Sequence, residues 1–412
     1  MPVTAGTPVV NVAAPTFKAN PWSICAELRA ERPVVRVPMP GGLREGYLIT
    51  RYEDAIRVLR DDEHFVKDVR SARDSRHLGQ PWIPPFLRPL NHTMLDSDGA
   101  EHRRLRTLVR DTFAPHYIAQ LEPRVQVVAD QLLDRLAQQG RVDLVADYAV
   151  PLPLTLIAEI LGVPERDRLR FRRWFSSLVE LSASEQPGLL VLLKLPQVIL
   201  MIHFLRRLIA ERRARPREDL ISRLANVREG TDRLSPDELL AMVAILLIAG
   251  YETTVNLIGT GTLLLLQHPD QLSRLRSDPQ LIGSAVEELL RLATPIDLAT
   301  ERYAREDVEV AGVTIPRGSL VMVAIVSANA DERRFAEPDQ LDIGRQDNHH
   351  LSFGHGAHYC LGAPLARLEG RVAIGSLIQR FPNLRLLVPP DQLRWRANVS
   401  LRGLVSLPVA AS

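Results

Sequence analysis

The sequence FGHGAHYCLG, residues 353–362, places Cys360 in a short stretch with three glycines and two histidines. An apolar pattern that is typical of an amphipathic helix follows over residues 361–381. A cysteine in such surroundings can belong to a zinc site, bind a haem iron, or be an inert buried thiol. The spacing of the neighbouring residues separates these three interpretations.

The histidines do not have the spacing of a common zinc module. His355, His358 and Cys360 offer three ligands in the order H-x2-H-x-C, whereas zinc modules supply their ligands in pairs. A buried structural thiol would not need three glycines, but a tight backbone loop that lets a flat cofactor approach the sulfur would. The N-terminus of the following helix also favours a thiolate. The residues therefore favour an axial thiolate ligand for iron.

A second stretch, residues 235–269, predicts a single long helix. Ser235 is placed to cap it, Pro236 occupies the first position, Glu238 completes a capping box, and Pro269 ends it. About 30 residues give about 45 Å of helix. A membrane span has this length, but the caps are those of a soluble helix and no neighbouring span exists. We therefore expect a helix that crosses the core of a large domain.

The middle of that helix, AGYETT, carries polar groups that a core helix normally lacks. Gly250, Glu252 and Thr253 lie together in it. Threonine can bond back to a carbonyl one turn earlier and simply bend the helix. The alternative is a groove where a small ligand approaches the backbone beside an acid and an alcohol that pass protons to it.

Three further motifs carry charge. Glu288 and Arg291 are three residues apart on one helical face of EELLR, a pattern that is usually a solvated ion pair. His102 and Arg106 share a face of EHRRLR, and Arg302 follows in TERYA. Each alone is more often a solvated charge, but together they offer cations for a dianionic cofactor.

Composition limits the class of protein. The 412 residues carry 51 basic and 49 acidic side chains, a net charge of +2 that indicates neither nucleic acid nor anionic lipid as a partner. Two distant cysteines and no signal-peptide pattern indicate reduced thiols and a cytoplasmic location. No flavin, nicotinamide or iron–sulfur fingerprint occurs in the sequence.

The chain is predicted to be mainly α-helical with small β-sheets. Apolar periodicity predicts helices over residues 52–60, 117–139, 270–293 and 361–381; alternation predicts a hairpin over 308–315 and a buried strand over 319–326. We expect residues 1–20 to be an N-terminal extension and residues 21–412 to be one domain.

These motifs resemble those of the cytochrome P-450 family of haem-thiolate monooxygenases, in its bacterial soluble class. FGHGAHYCLG is similar to the family's cysteine-ligand loop, F-x-x-G-x-x-x-C-x-G, and AGYETT to its oxygen-binding stretch. EELLR resembles its Glu-x-x-Arg helix, and EHRRLR its propionate contact. The resemblance covers nearly the whole chain. It implies the cytochrome P-450 fold, with the long central helix over a haem b.

Site roles follow from the resemblance, position by position. Cys360 is implied as the axial metal ligand, with Phe353 shielding its sulfur. Thr253 and Glu252 are the candidate catalytic residues, since a hydroxyl beside the dioxygen site and a carboxyl that relays protons favour productive oxygen cleavage. The other implied cofactor-binding residues are His102, Arg106, Ala249, Gly250, Arg302, Gly354, His358 and Gly362. Glu288 and Arg291 are implied to buttress the cysteine loop.

The expected substrate is a sizeable apolar small molecule of the polyketide or macrolide, fatty-acid or terpenoid class. The predicted pocket has walls in the loop of residues 80–90 and in the apolar segment LLVLLKLPQVIL, residues 189–200. Its other predicted lining residues are Ile245, Leu246, Ala249, Pro295, Ile296 and Leu298.

The expected co-substrate is O2, and the expected electron donors are a ferredoxin and its reductase, docking near Arg103 and Arg110. A haem sensor or a peroxide-driven hydroxylase is the alternative, although neither needs Glu252 beside Thr253. We expect a monomer that binds no nucleic acid and no membrane.

Overall fold

The computed structural model describes residues 11–38, 45–73, 87, 89–90, 93–183 and 188–411, with the backbone alone at 179–183 and 188–192. The helices are α1 Pro15–Ala19, α2 Trp22–Glu31, α3 Tyr52–Arg60, α4 Val69–Ala72, α5 Gly99–Arg110, α6 Pro115–Ala119, α7 Glu122–Gln139, α8 Pro151–Ile160, α9 Glu165–Ala183, α10 Gly188–Ala214, α11 Leu220–Asn226, α12 Pro236–Gln267, α13 Pro269–Ser277, α14 Ile282–Ala293, α15 Ile325–Ala328 and α16 Ala363–Arg380. The strands are β1 Val34–Pro38, β2 Glu45–Ile49, β3 Phe65–Val66, β4 Arg141–Asp143, β5 Arg302–Ala304, β6 Val308–Val310, β7 Val313–Ile315, β8 Leu320–Val323, β9 Arg385–Leu386 and β10 Pro408–Ala410.

The strands form small sheets at the margins of the helical body. The largest has the order β1-β2-β8-β5-β3 and is antiparallel except for the parallel pair β2 and β8. A second sheet has the order β4-β10-β9, and β6 pairs with β7 in the predicted hairpin. The fold class is therefore the predicted one, mainly α with small β-sheets.

Helix α12 is the long central helix that the sequence predicts. It has 32 residues, and Ser235 and Glu238 form the capping box that the sequence predicts. The helix is long and apolar enough to cross a membrane, but 61% of its most apolar stretch is buried inside the protein. Its side chains contribute to the main apolar core together with those of α7, α8 and α16. It is a core helix of the domain.

Several predicted elements end earlier than expected. The helix predicted over residues 117–139 is split into α6 and α7, and Pro123 lies in the first turn of α7. The helix predicted over residues 270–293 is interrupted by a 3-10 turn, Pro279–Leu281. Proline lacks the N–H that a continuous helix needs, and each of the two breaks therefore falls beside a proline. The strand predicted over residues 319–326 ends at Val323, because the chain turns there into α15.

The first described residues, from Asn11 onward, pack against the body of the protein. Val12 and Phe17 are buried in the same apolar cluster as Cys25. Lys18 is fully buried, and its Nζ lies 2.8 Å from a carboxylate oxygen of Asp297. Residues 12–18 thus pack against the rest of the chain, and the boundary between residues 20 and 21 stays a prediction. Most of the predicted wall of residues 80–90 lies outside the described residues.

Candidate active site

The cysteine loop is held by its own backbone and by the end of α3. The Cys360 N–H donates to the Phe353 carbonyl at 2.9 Å, which closes the loop. Gly356 has φ of +76°, and a Cβ there would lie 2.5 Å from the Leu59 carbonyl oxygen. Only glycine fits both requirements. The glycine pattern in the sequence thus reflects a close approach of two backbones.

Cys360 lies on the wall of a recess in the protein. Its side chain is exposed, yet burial raises its pKa above the ordinary value, because protein surrounds the space it faces. The backbone amides of Gly362 and Ala363 and the charges of Arg106 and Arg367 act in the opposite direction but do not outweigh burial. The N-terminal amides of α16 thus favour the thiolate, as predicted, but burial has the larger effect on the Cys360 pKa. A bound metal cation would deprotonate this thiol.

Basic side chains converge beside this recess. The rings of His102 and His358 lie 4.1 Å apart. The pKa of His358 falls to about 2, because burial and the charges of Lys67, His102, Arg302 and Arg106 all disfavour the imidazolium. Arg106 donates to the Tyr359 carbonyl at 2.7 Å. The structure thus brings together four residues that the sequence singled out as cofactor contacts.

Lys67 is a member of this cluster that the sequence analysis missed. Its side chain is 7% exposed, and its pKa falls to about 7, chiefly because of burial and then of Arg302. It follows a short strand in the sequence FVKD, where no local pattern distinguishes it from a solvated lysine. Only the pairing of β3 with β5 carries it to Arg302.

The basic side chains of Lys67, His102, Arg106, Arg302 and His358 form an anion-binding cluster, because some of their buried atoms have no hydrogen-bond partner. Among the buried side-chain atoms that the structure describes, His102 Nε2 and Arg302 Nε have no hydrogen-bond partner. Buried donors without partners are costly, so a ligand that satisfies them is expected. A cofactor with two carboxylates, such as haem b with its two propionates, matches the charge of the cluster.

The middle of α12 borders open space. Ile248 is 36% exposed, and Ala249 and Gly250 are also exposed, although most of the helix is buried. Thr253 is half-buried, and its hydroxyl donates to the Ala249 carbonyl at 2.7 Å. Thr254 makes the equivalent bond to Gly250 at 3.0 Å. Both threonines therefore make the helix-bending contact, beside an exposed apolar face.

Glu252 is a buried carboxyl with one ion-pair partner in the described part of the chain. Burial raises its pKa, and Arg396, whose Nη1 lies 3.5 Å away, offsets this only in part. Arg396 belongs to the C-terminal segment that packs against α12, where a Cβ at Gly403 would lie 2.0 Å from the Asn256 side-chain oxygen. The sequence offered no signal for Arg396, which reaches Glu252 only through this packing.

The predicted pocket residues divide into two groups. Ile245, Leu246 and Ile296 are partly exposed, as a pocket wall requires. Leu298, by contrast, is 0% exposed and packs with the N-terminal apolar cluster, and Pro295 is also buried. The bridges of Ile296 to Leu401 and of Leu298 to Ala324 hold this stretch against the core, and a place for Pro295 and Leu298 in the pocket wall stays a prediction.

Glu288 and Arg291 form a fully buried pair rather than a solvated one. The Arg291 guanidinium donates to both carboxylate oxygens of Glu288 at 2.8 Å. It also donates to the carbonyls of Asn329 and Pro338, while Glu288 accepts from Asn348. The pair therefore fixes the backbone of residues 329–348, which lead into the cysteine loop.

Comparison with known proteins gives the family. The family model described as Cytochrome P450 matches residues 7–397. The polyketide biosynthesis cytochrome P450 PksS of Bacillus subtilis (strain 168) is 39% identical over 398 residues, which are 96% of this chain and 97% of that protein. A solved structure of PksS has a TM-score of 0.90 at 38% identity and covers 98% of this chain and 100% of its own.

A second relative gives the same result. The cytochrome P450 monooxygenase PikC of Streptomyces venezuelae is 43% identical over 413 residues, 98% of this chain and 95% of that protein. These matches extend over nearly the whole chain and agree with the cysteine loop and the anion-binding cluster. The protein belongs to the cytochrome P450 family: it is a monooxygenase, and it binds haem b through a cysteine thiolate.

Proposed function

We propose that this cytochrome P450 inserts one oxygen atom from O2 into a sizeable apolar small molecule of polyketide, macrolide or fatty-acid type. The observation that carries this proposal is the exposed stretch Ile248, Ala249 and Gly250 in the middle of a buried helix. A wall made of an isoleucine, an alanine and a glycine has no polar side chain to bind a polar substrate. It selects by apolar contact.

Cys360 would hold the haem iron, because Cys25 is buried in the N-terminal cluster and its pKa is raised to about 12. His102, Arg106, Arg302 and His358 hold the propionates, and Lys67 joins them. The haem supplies oxygen activation, with thiolate donation to iron favouring cleavage of the O–O bond.

Glu252 and Thr253 manage the protons that this reaction consumes. Burial raises the pKa of Glu252, so the carboxyl can take up a proton at a higher pH than an exposed glutamate can. Arg396 is about one-third exposed and connects Glu252 with solvent. Rotation of the Thr253 hydroxyl away from the Ala249 carbonyl would let it donate into the recess.

The relatives support the substrate class. PksS is named for polyketide biosynthesis, and it matches this chain over nearly its full length. A ferredoxin with its reductase is the proposed donor. Arg103 and Arg110 are exposed on α5, away from the buried His102, and form the proposed docking face.

Two measurements test the proposal. A reduced carbon monoxide complex should show the strongly red-shifted Soret band of a thiolate ligand, Cys360→His should abolish it, and the control Cys25→Ala should keep it. Spectral titration with macrolides, fatty acids and terpenoids should then find an apolar ligand that displaces the iron-bound water. Turnover of that ligand must require O2 and an electron donor. Retention of the thiolate band in Cys360→His, or turnover only with peroxide, would contradict the proposal.

A further inference from the structure

A charged network lies behind the cysteine loop and has no role in the proposed function. The Arg367 guanidinium donates from Nε and Nη2 to the two carboxylate oxygens of Glu287, at 2.7 and 2.8 Å. His350 Nε2 lies 3.2 Å from the same carboxylate. The pKa of Glu287 accordingly falls to about 2, since these hydrogen bonds and charges outweigh burial. Glu287 is therefore ionised at any pH where the protein is active.

The histidine holds Glu287 independently of the arginine. The Ser352 N–H donates to His350 Nδ1 at 3.2 Å, so Nε2 carries the hydrogen when the ring is neutral and donates it to Glu287. The His350 side chain is almost completely buried. Loss of Arg367 would thus leave the carboxylate in place and still ionised.

Arg367 also contacts the cysteine loop. Its guanidinium carbon lies 4.5 Å from the centre of the Phe353 ring, and Nη1 donates to the Tyr359 hydroxyl at 3.3 Å. The Phe353 carbonyl accepts the Cys360 N–H. Arg367 therefore places its positive charge against the loop that carries Cys360.

We propose that Arg367 and Glu287 form a charge pair whose two members shift the reduction potential of the haem iron in opposite directions, with Arg367 as the positioning residue. The proposal rests on Cys360 being the axial ligand, as in the proposed function. Reduction adds one negative charge to the iron–thiolate unit. A nearby cation stabilises the reduced form and a nearby anion destabilises it, so the two members of the pair act with opposite signs.

This opposition gives a sharp test, because the two single substitutions should move the potential in opposite directions. Arg367→Gln should lower the ferrous/ferric equilibrium constant about tenfold, which is about 59 mV for one electron. Glu287→Gln should raise it, and the double variant should return close to wild type. The measurement is spectroelectrochemical titration of the purified holoenzyme without substrate.

The variants are expected to fold. Both side chains line a cleft of about 490 Å³ that is open to solvent, so their replacement leaves no closed cavity. Arg367→Lys keeps the charge without the two-pronged geometry, and it should keep a potential near that of the wild type. Arg371→Gln, one turn further along α16, is the matched control for loss of one arginine and should shift the potential much less.

Each outcome decides the proposal. It is overturned if both single variants shift the potential in the same direction, if Arg371→Gln shifts it as far as Arg367→Gln, or if Arg367→Lys behaves like Arg367→Gln. Opposite shifts that cancel in the double variant support it. A missing thiolate band in the wild-type carbon monoxide complex would overturn the proposed function, whereas a normal band with unshifted potentials overturns only this inference.

Discussion

Replacing Lys67 by methionine should weaken haem retention and, at the same time, stabilise the haem-free protein. The ammonium group is buried, and it donates to the carbonyls of Thr300 and Glu301 and to the Thr300 hydroxyl. No carboxylate of the described residues lies within ion-pair distance of it. Its charge is therefore costly until an anion, here a haem propionate, is bound beside it.

The size of this cost follows from the pKa. The Lys67 pKa falls from its ordinary value of 10.5 to about 7. At about 1.36 kcal/mol per unit, keeping the side chain charged in the haem-free protein costs on the order of 5 kcal/mol. Because the folded pKa lies below the unfolded one, the unfolded chain binds more protons between these two pH values. The free energy of unfolding should therefore rise with pH from about 7 to about 10.5.

Lys67→Met should flatten this rise and increase the free energy of unfolding at pH 7, as measured by urea unfolding of the haem-free protein at pH 7 and pH 9. In the holoenzyme a lost charge-assisted hydrogen bond is worth about 1.5–3 kcal/mol, so haem transfer to excess apomyoglobin should be about 10- to 100-fold faster. Arg103→Met, on the exposed face of α5, is the control. Haem loss at the wild-type rate, or a destabilised haem-free variant, would refute the reasoning.

Three further predictions concern other parts of the site. Thr253→Ala should leave haem and substrate binding intact but divert electrons to hydrogen peroxide, whereas Thr254→Ala should not. The measurement is the product and the peroxide formed per electron pair. An equal product yield per electron pair in both variants would make Thr253 only a helix-bending residue. Charge reversal at Arg103 and Arg110 should slow reduction by an acidic ferredoxin and flatten its salt dependence with substrate affinity unchanged; a stopped-flow rate equal to wild type at low salt would remove both from the docking face. Glu288→Gln should cost about 3–5 kcal/mol of unfolding free energy, because it leaves a buried arginine charge uncompensated; a urea-unfolding difference below about 1 kcal/mol would contradict the buttress role.

The sequence alone determined the features whose signals are local. The ends of α12 follow from Ser235, Pro236 and Glu238, since a capping box is made within one turn of helix. The hairpin β6–β7 and the cysteine loop follow from short patterns of alternation and glycine spacing. The family resemblance rests on the same short motifs. Local hydrogen bonds and turn geometry specify the helix ends and the hairpin, whereas Gly356 in the cysteine loop also reflects the close approach of the Leu59 backbone.

Only the tertiary structure decided which distant residues meet in the site. Lys67 joins the anion-binding cluster through a strand pairing, and Arg396 reaches Glu252 through the packing of the C-terminal segment on α12. Leu298 is one of the predicted pocket residues, yet it is buried in the N-terminal apolar cluster. The direction of a side chain and the burial of a charge depend on segments packed from elsewhere in the chain. No pattern within a few residues of sequence encodes them.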